Sequence, residues 1–409
     1  MKKAIPIIVS LLLILLIGTI YAGSIFYEKY SYSGEHMDLA EYFQLSGDED
    51  TAIFLQDARI GEKALFRDGR YYFDAATVKK YFSDRFYFSA ADEAVFYTLP
   101  DRTERAAYDT SVCASELGDE ELGYTIAFAQ GDTVWLAAEY VKRYVNFSYE
   151  GYTDPNRMQV YTAWGERTLA DVKKKTAVRY QGGIKSEILT ELSEGESVEV
   201  LESMENWTKV KTDDCFVGYV ENKLLTAVRT EQETPVTEVE EPVYMSFTRQ
   251  GRINMPWHQL MSFAGAAAFR DAIAGTQAVN VISPTWFSIN SNEGDVASLA
   301  SGDYVQAAHE AGVEVWALVD NDINRLYGTD TATILATDRC RKNMIAQLMD
   351  YVTQYGLDGL NIDFEQIPRS SGEDFVQFIR ELSVPCRANG VVLTVDIYVP
   401  TEYTSHYGW

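Results

Sequence analysis

From Val243 onward, five strand-like apolar runs alternate with stretches of helical period: Val243–Thr248, Ala278–Ile282, Val313–Val319, Gly359–Glu365 and Val391–Val399. Between them, Ile345, Leu348, Met349 and Val352 fall at i, i+3, i+4, i+7, and so do Phe375, Phe378, Ile379 and Leu382. Parallel strands need a long crossover, usually a helix, whereas antiparallel strands can be joined by a tight turn. The alternation therefore predicts a parallel sheet, in a doubly wound fold or a (β/α)8 barrel. No other feature of the chain restricts its fold as far.

The fourth run carries the chemistry. It reads Asp358-Gly359-Leu360-Asn361-Ile362-Asp363-Phe364-Glu365. Side chains alternate faces along a strand, so Asn361, Asp363 and Glu365 share one face and Leu360, Ile362 and Phe364 the other. Polar groups aligned on a central strand are costly to bury without a task. The Cα atoms of Asp363 and Glu365 lie ~6.6 Å apart along such a strand. At that spacing one carboxylate resists the ionisation of the other. A protonated carboxylic acid at the C-terminal end of a barrel strand is suited to general-acid catalysis. An exposed edge strand with ordinary polar residues is the competing reading, and the flanking apolar runs argue against it.

This stretch resembles the D-x-x-D-x-D-x-E signature of glycoside hydrolase family 18, the chitinase-like barrels, with Asn361 standing where the second Asp is usual. The N-I-D-F-E form is similar to the branch of exported bacterial enzymes that act on peptidoglycan, spore-cortex hydrolases among them. Ser283-Pro284-Thr285-Trp286-Phe287, Val315 to Asn321 and Leu393 to Pro400 agree with that branch, so the resemblance covers roughly 243–409. It implies hydrolysis of N-acetylglucosaminyl linkages in peptidoglycan, or in a chitin-like glycan, by a substrate-assisted retaining mechanism. Glu365 would protonate the glycosidic oxygen, and the sugar's own acetamido oxygen would attack the anomeric carbon. Asp363 would orient the acetamido group, with Asn361 and Asp358 positioning Asp363 by hydrogen bonds. Trp286 either stacks on a sugar face or packs in the core. Asp320, Asn321, Asp396 and Tyr398 are expected at sugar hydroxyls. The chemistry requires no cofactor and no metal.

Two other classes remain open: a catalytically silent glycan-binding protein that keeps the barrel as a lectin, and a tethered structural protein. An intact acid at Glu365 speaks against the lectin, which has no need of the proton. The segment from Val243 is also well short of the ~250 residues of a typical barrel. The family's sixth-strand tyrosine is expected beyond Trp409. The sequence thus predicts an incomplete (β/α)8 barrel of five strands, with little activity in this chain by itself.

Upstream lie smaller modules. Residues 175–228 hold about five short strand-like runs, including Gly195-Glu196-Ser197-Val198-Glu199-Val200 and Trp207-Thr208-Lys209-Val210, separated by turn signals. That pattern predicts a small barrel and resembles a bacterial SH3-like domain. Residues 46–165 contain a near-repeat. Asp68-Gly69-Arg70-Tyr71-Tyr72-Phe73, Val78 to Phe82 and Val95 to Thr98 are echoed by Gly131 to Leu136, Val141 to Val145 and Val160 to Thr162. Each copy reads as a hairpin, a short helix and a strand, an α+β module resembling the N-terminal domain of copper amine oxidases. No copper ligands are apparent in it. Residues 229–242, rich in glutamate and bearing Pro235 and Pro242, read as an extended acidic linker.

Lys2 and Lys3 precede an uncharged stretch from Ala4 to Tyr27. Its length suits a single membrane span, with residues 1–27 an uncleaved anchor and the bulk of the chain outside the cytoplasm. Cleavage after Ile20-Tyr21-Ala22 is the competing reading, and it would leave a secreted protein. The 61 acidic against 35 basic residues give a net charge of −26, which repels a phosphate backbone and argues against nucleic acid as a partner. Cys113, Cys215, Cys340 and Cys386 are widely spaced, and so are His36, His258, His309 and His406, so neither a disulfide framework nor a zinc site is expected.

Overall fold

The computed structural model describes residues 4–245, 247, 249, 251–262, 269–322 and 324–397. The chain divides into two compact units, Met1–Phe73 with Lys142–Val239, and Asp74–Val141 with Glu240–Trp409. Residues 46–165 are thus shared between the two.

The first unit begins with a helix, Ala4–Tyr30, whose side chains from Val9 onward are exposed, Leu15 by 68%. It is the one described helix long and apolar enough to cross a membrane, and none of that apolar window is buried. After it come strands Asp50–Leu55, Ala58–Arg67 and Arg70–Asp74. Asp68 and Gly69 turn the chain with φ of 51° and 76°, left-handed values that suit a two-residue hairpin and the D-G pair. Within 175–228 the five expected strands form: Thr176–Arg179, Ile188–Leu192, Ser197–Ser203, Trp207–Lys211 and Val217–Glu221. Val178, Leu189, Val198, Val210 and Val220 close their core. Two flanking strands extend this sheet, and one corrects the linker expectation. Arg229–Gln232 pairs with Glu166–Leu169 in antiparallel fashion, so the first residues assigned to the linker are strand. Their ladder partner outweighs the local charge.

The second unit holds the α/β segment. Its parallel strands, in sequence and in spatial order, are β1 (Trp257–His258), β2 (Val281–Ile289), β3 (Glu314–Asp320), β4 (Gly359–Asp363) and β5 (Val392–Val395). Helices α1 (Gly302–Glu310), α2 (Asp338–Tyr355) and α3 (Gly372–Ala388) cover one face. The residues picked out by helical period do this packing. Leu348, Val352, Phe375, Phe378 and Leu382 are buried in one cluster with Leu360, Ile362 and Phe364 of the fourth run. Phe364 stacks on Phe378 with ring centroids 5.5 Å apart. Gly359 is required where β4 passes Trp316, because a Cβ there would lie 2.7 Å from the indole.

Four strand expectations change: the fourth strand ends at Asp363 rather than Glu365, the fifth ends at Val395 rather than Val399, and the first two differ as follows. Val243–Met245 and Phe247 form no strand, and Ser246 and Thr248 lie outside the described residues. The edge position beside β2 is taken by Trp257–His258, which pairs with Ser283–Pro284. Tyr244 is instead drawn away, its hydroxyl donating to the Thr98 carbonyl at 3.1 Å and its ring under the Arg85 guanidinium. The second strand runs past its expected end at Ile282 to Ile289.

An antiparallel sheet of Phe86–Ser89, Ala94–Thr98 and Thr103–Ala107 packs on α2 and α3 in this same unit. Tyr87 Oη donates to Asp374 Oδ1 at 2.7 Å, and Gln377 Nε2 to Thr98 Oγ1 at 3.1 Å. Beneath it Arg341, wholly buried, donates from Nε and Nη2 to the Glu381 carboxylate at 2.9 and 3.1 Å and from Nη1 to the Leu335 carbonyl at 2.7 Å.

Candidate active site

Parallel register aligns the acidic residues in one row. Ser288 pairs with Asp320 and Asp320 with Asp363. One step beyond the pair Ile362–Val395, the N–H of Asp396 donates to the Ile362 carbonyl at 2.9 Å, so Asp396 continues the row. Residues paired this way face the same side. Three carboxylates, Asp320, Asp363 and Asp396, therefore sit side by side at the C-terminal ends of adjacent strands, with Glu365 just past the end of β4.

The sheet curls around this row. Strands lie about 4.8 Å apart, so in a flat sheet β1 and β5 would be separated by roughly 19 Å. Yet Trp257 Nε1 of β1 donates to Asp396 Oδ2, just past β5, at 3.3 Å. Asn361, fully buried, spans the concave side. Its Nδ2 donates to Asp396 Oδ2 at 2.7 Å and to Ser283 Oγ of β2 at 3.3 Å, and its Oδ1 accepts from Thr394 Oγ1 at 2.8 Å.

Asp363 is the electrostatic focus. Burial, then the negative charges of Asp396, Glu365 and Asp320, push its carboxyl up to about 6. Among the described residues no hydrogen bond offsets this. Burial also raises Asp396, against which Asn361 and Trp257 donate. Asp320 is differently placed, its Oδ1 accepting from Ser288 Oγ at 2.7 Å and from the Asp322 N–H at 2.8 Å. Of the like charges acting on Asp363, Asp396 contributes more than Glu365.

Asn321 holds the backbone of Glu365 from both sides. Its Oδ1 accepts from the Glu365 N–H at 2.9 Å, and its Nδ2 donates to the Glu365 carbonyl at 2.9 Å. This side-chain amide acts as one more rung of strand pairing, and it spends on the protein the groups expected to meet a sugar hydroxyl.

Three other expectations are corrected. Asp358 lies at the opposite end of β4, about 16 Å along the strand from Asp363. It accepts from the Val315 N–H at 2.8 Å and pairs with His309 Nε2 at 2.8 Å, so it does not position Asp363. Asn361 reaches Asp396 and not Asp363. Trp286 is 2% exposed and edge-on to Tyr304 of α1, closed to any sugar. Ser283 faces Asn361, so alternation along the strand puts Trp286 on the opposite face, toward α1. The register then shifts between Thr285 and Phe287, and Phe287 follows Trp286 into the same core. Tyr398 lies outside the described residues.

Sequence reasoning missed Trp257 and Asp322. Trp257 is 62% exposed at the rim of the row. It belongs to a two-residue strand, too short to show any period. Asp322, at φ 59°, accepts from the N–H groups of Leu326 at 2.7 Å and Thr329 at 3.2 Å, and also from that of Tyr327, folding the loop after β3 around one carboxylate. A D-N-D run at a strand end was the available signal.

Comparison with known proteins adds the following. Residues 174–226 match the family model Bacterial SH3 domain. A Bacillus subtilis (strain 168) protein, named provisionally as the sporulation-specific glycosylase YdhD, is 28% identical over 118 residues, which is 28% of each chain. Among solved structures, the Bacillus cereus spore cortex-lytic enzyme SleL aligns at 15% identity and TM-score 0.33, over 42% of this chain and 39% of that one. A chitinase from Chromobacterium violaceum ATCC 12472 aligns at 20% identity and TM-score 0.32, over 39% and 51%. Superpositions at that level carry no argument about fold. The chain thus spans 28% of the curated relative and about half or less of these solved chains. It carries a bacterial SH3 domain and, over part of its length, is similar to a sporulation-specific glycosylase.

Proposed function

We propose that the full-length protein hydrolyses N-acetylglucosaminyl linkages of cell-wall glycan, with peptidoglycan the favoured substrate, and that Glu365 is the general acid. The observation that carries this reading is the carboxylate row, with Asp363 pushed up to about 6 and Glu365 fixed through its backbone at the strand end. Structural ion pairs join opposite charges, and this row gathers like ones. Perturbed carboxyls at the C-terminal ends of parallel strands are a signature of catalytic sites.

In this reading Glu365 gives its proton to the leaving glycosidic oxygen while the sugar's acetamido oxygen attacks the anomeric carbon. Positive charge then grows on the acetamido nitrogen. Asp363, once ionised, accepts from that N–H and balances the charge. Asn321 keeps the acid aligned with the bond that breaks, and a fixed donor geometry of this kind is where most positioning advantage arises. The exposed N-terminal helix serves as a membrane anchor, with the SH3 domain and the site outside the cytoplasm. Protease added to spheroplasts then digests both regions, and their protection would refute the anchor.

Glu365→Gln tests the chemistry. Gln keeps the shape and has no proton to transfer, so release of reducing sugar from purified peptidoglycan falls about 10²–10⁴-fold, while glycan binding persists. Hydrolysis by the variant within a few-fold of the parent would refute the assignment.

A further inference from the structure

The chain that leaves the N-terminal helix is tied at once to the SH3 domain. The Ser33 N–H donates to the Ile184 carbonyl at 2.8 Å, the Ile188 N–H to the Glu35 carbonyl at 2.8 Å and the Met37 N–H to the Ile188 carbonyl at 2.9 Å. Residues 33–37 thus run along one edge of the barrel, with His36 in parallel register with Ile188. The apolar window Val9–Tyr30 has 22 residues, about 33 Å of helix against a hydrocarbon core of ~30 Å. In a bilayer Tyr27 and Tyr30 then fall at the interface, where tyrosine is favoured. Tyr32 lies at most about 7 Å farther along the chain, within one Debye length of the headgroups.

Here a pocket of about 480 Å³ is lined by Tyr32, Lys174, Lys175, Arg179 and Lys223. Two carboxylates share it, Glu191 paired with Lys175 at 2.5 Å and Glu221 paired with Lys223 at 2.9 Å. Each is answered by one lysine, so the charges of Lys174 and Arg179 are in surplus, in a chain whose net charge is −26. Lys174 is exposed and makes no ion pair among the described residues. Arg179 is 5% exposed and donates to carbonyls, that of Ser186 at 2.5 Å and that of Ser33 at 3.0 Å, with no carboxylate at ion-pair distance among the described residues. A buried cation without a counter-ion is costly, and an anion in the pocket would relieve it.

We propose that this pocket holds the phosphate of an anionic lipid headgroup and so keeps the SH3 domain at the surface of the bilayer that takes the anchor. The proposal rests on the anchor reading above. The anchor delivers the pocket to the headgroup layer, a local phosphate concentration that a soluble polyanion does not match.

The test uses the full-length protein in nanodiscs of phosphatidylcholine containing phosphatidylglycerol, with the lipids retained on gentle release counted by native mass spectrometry. The parent retains phosphatidylglycerol in preference to phosphatidylcholine. Lys174→Gln and Lys223→Gln each weaken that preference about fivefold, the effect of one basic contact at a charged lipid surface. Both side chains are exposed, so the variants fold. Lys174→Arg keeps the preference, and Lys63→Gln, outside the pocket, leaves it unchanged. An undiminished preference in the double variant Lys174→Gln with Lys223→Gln, or an equal loss from Lys63→Gln, would overturn the proposal. So would displacement of the lipid by inorganic phosphate or soluble poly(glycerol phosphate) at equal phosphate concentration. Failure of the anchor reading has a separate signature: a protein that alkaline carbonate strips from vesicles.

Discussion

Two polar clusters in the α/β unit, one buried and one half-buried, are built on opposite principles. Under the 86–107 sheet, Arg341 and Glu381 meet through two parallel hydrogen bonds, with Gln377 donating to the same carboxylate at 2.9 Å. Opposite charges are paired, Nη1 donates to the Leu335 carbonyl, and the rings of Tyr87 and Phe96 lie 5.3 and 5.4 Å from the guanidinium carbon. At the strand ends, Asp320, Asp363 and Asp396 sit together, and Asp363 has no hydrogen bond among the described residues. The first arrangement fixes how helices α2 and α3 are joined. The second raises the Asp363 carboxyl by burial and by like charge, a conflict that in the proposed reading serves the chemistry.

That contrast is broken most forcefully at the paired cluster. Arg341→Met leaves Glu381 buried without its partner, and removal of one member of such a pair costs about 3–5 kcal/mol. The loss appears as a large drop in thermal midpoint, and Arg341→Met combined with Glu381→Leu recovers most of it. A single substitution that is neutral would mean the pair does not hold the helices together.

Asp363→Asn has the opposite sign and a smaller effect on stability. The folded carboxyl titrates near 6 against 3.8 in the unfolded chain. Between those values the native state holds a proton that the unfolded state has lost, so native stability falls as pH rises through the window. Asn has no charge to suffer this. Asp363→Asn is therefore the more thermostable protein at pH 8, with the gain shrinking toward pH 4 as Asp363 becomes neutral, while hydrolysis is lost. A pH-independent difference in melting temperature would contradict the raised carboxyl.

Much of this was legible in the sequence where local rules dominate. The helical period at Leu348, Val352, Phe375 and Phe378 predicted which residues are buried, and alternation along Leu360 to Glu365 predicted which face the site. The three-carboxylate row was not legible, since it depends on register between strands far apart in sequence. Trp286 lies on the helix-facing side by the strand's own alternation from Ser283, and the bulge carries Phe287 to that side with it. The sequence marks Asn321 and Asn361 as site residues, yet their partners, the Glu365 backbone and Asp396, follow only from the register between neighbouring strands. The pattern at Val243–Thr248 predicts the first strand. Val243 is in fact 79% exposed, and the sheet edge goes to a two-residue strand with no pattern of its own.

The central claim, that this site works with the substrate's own acetamido group and Asp363, is tested most directly on the glycan itself. The full-length protein is to be supplied with matched peptidoglycan before and after chemical de-N-acetylation, and release of reducing ends measured on both. The account predicts cleavage of the acetylated glycan and almost none of the de-N-acetylated one, because the attacking oxygen is gone. Equal rates on the two would contradict it.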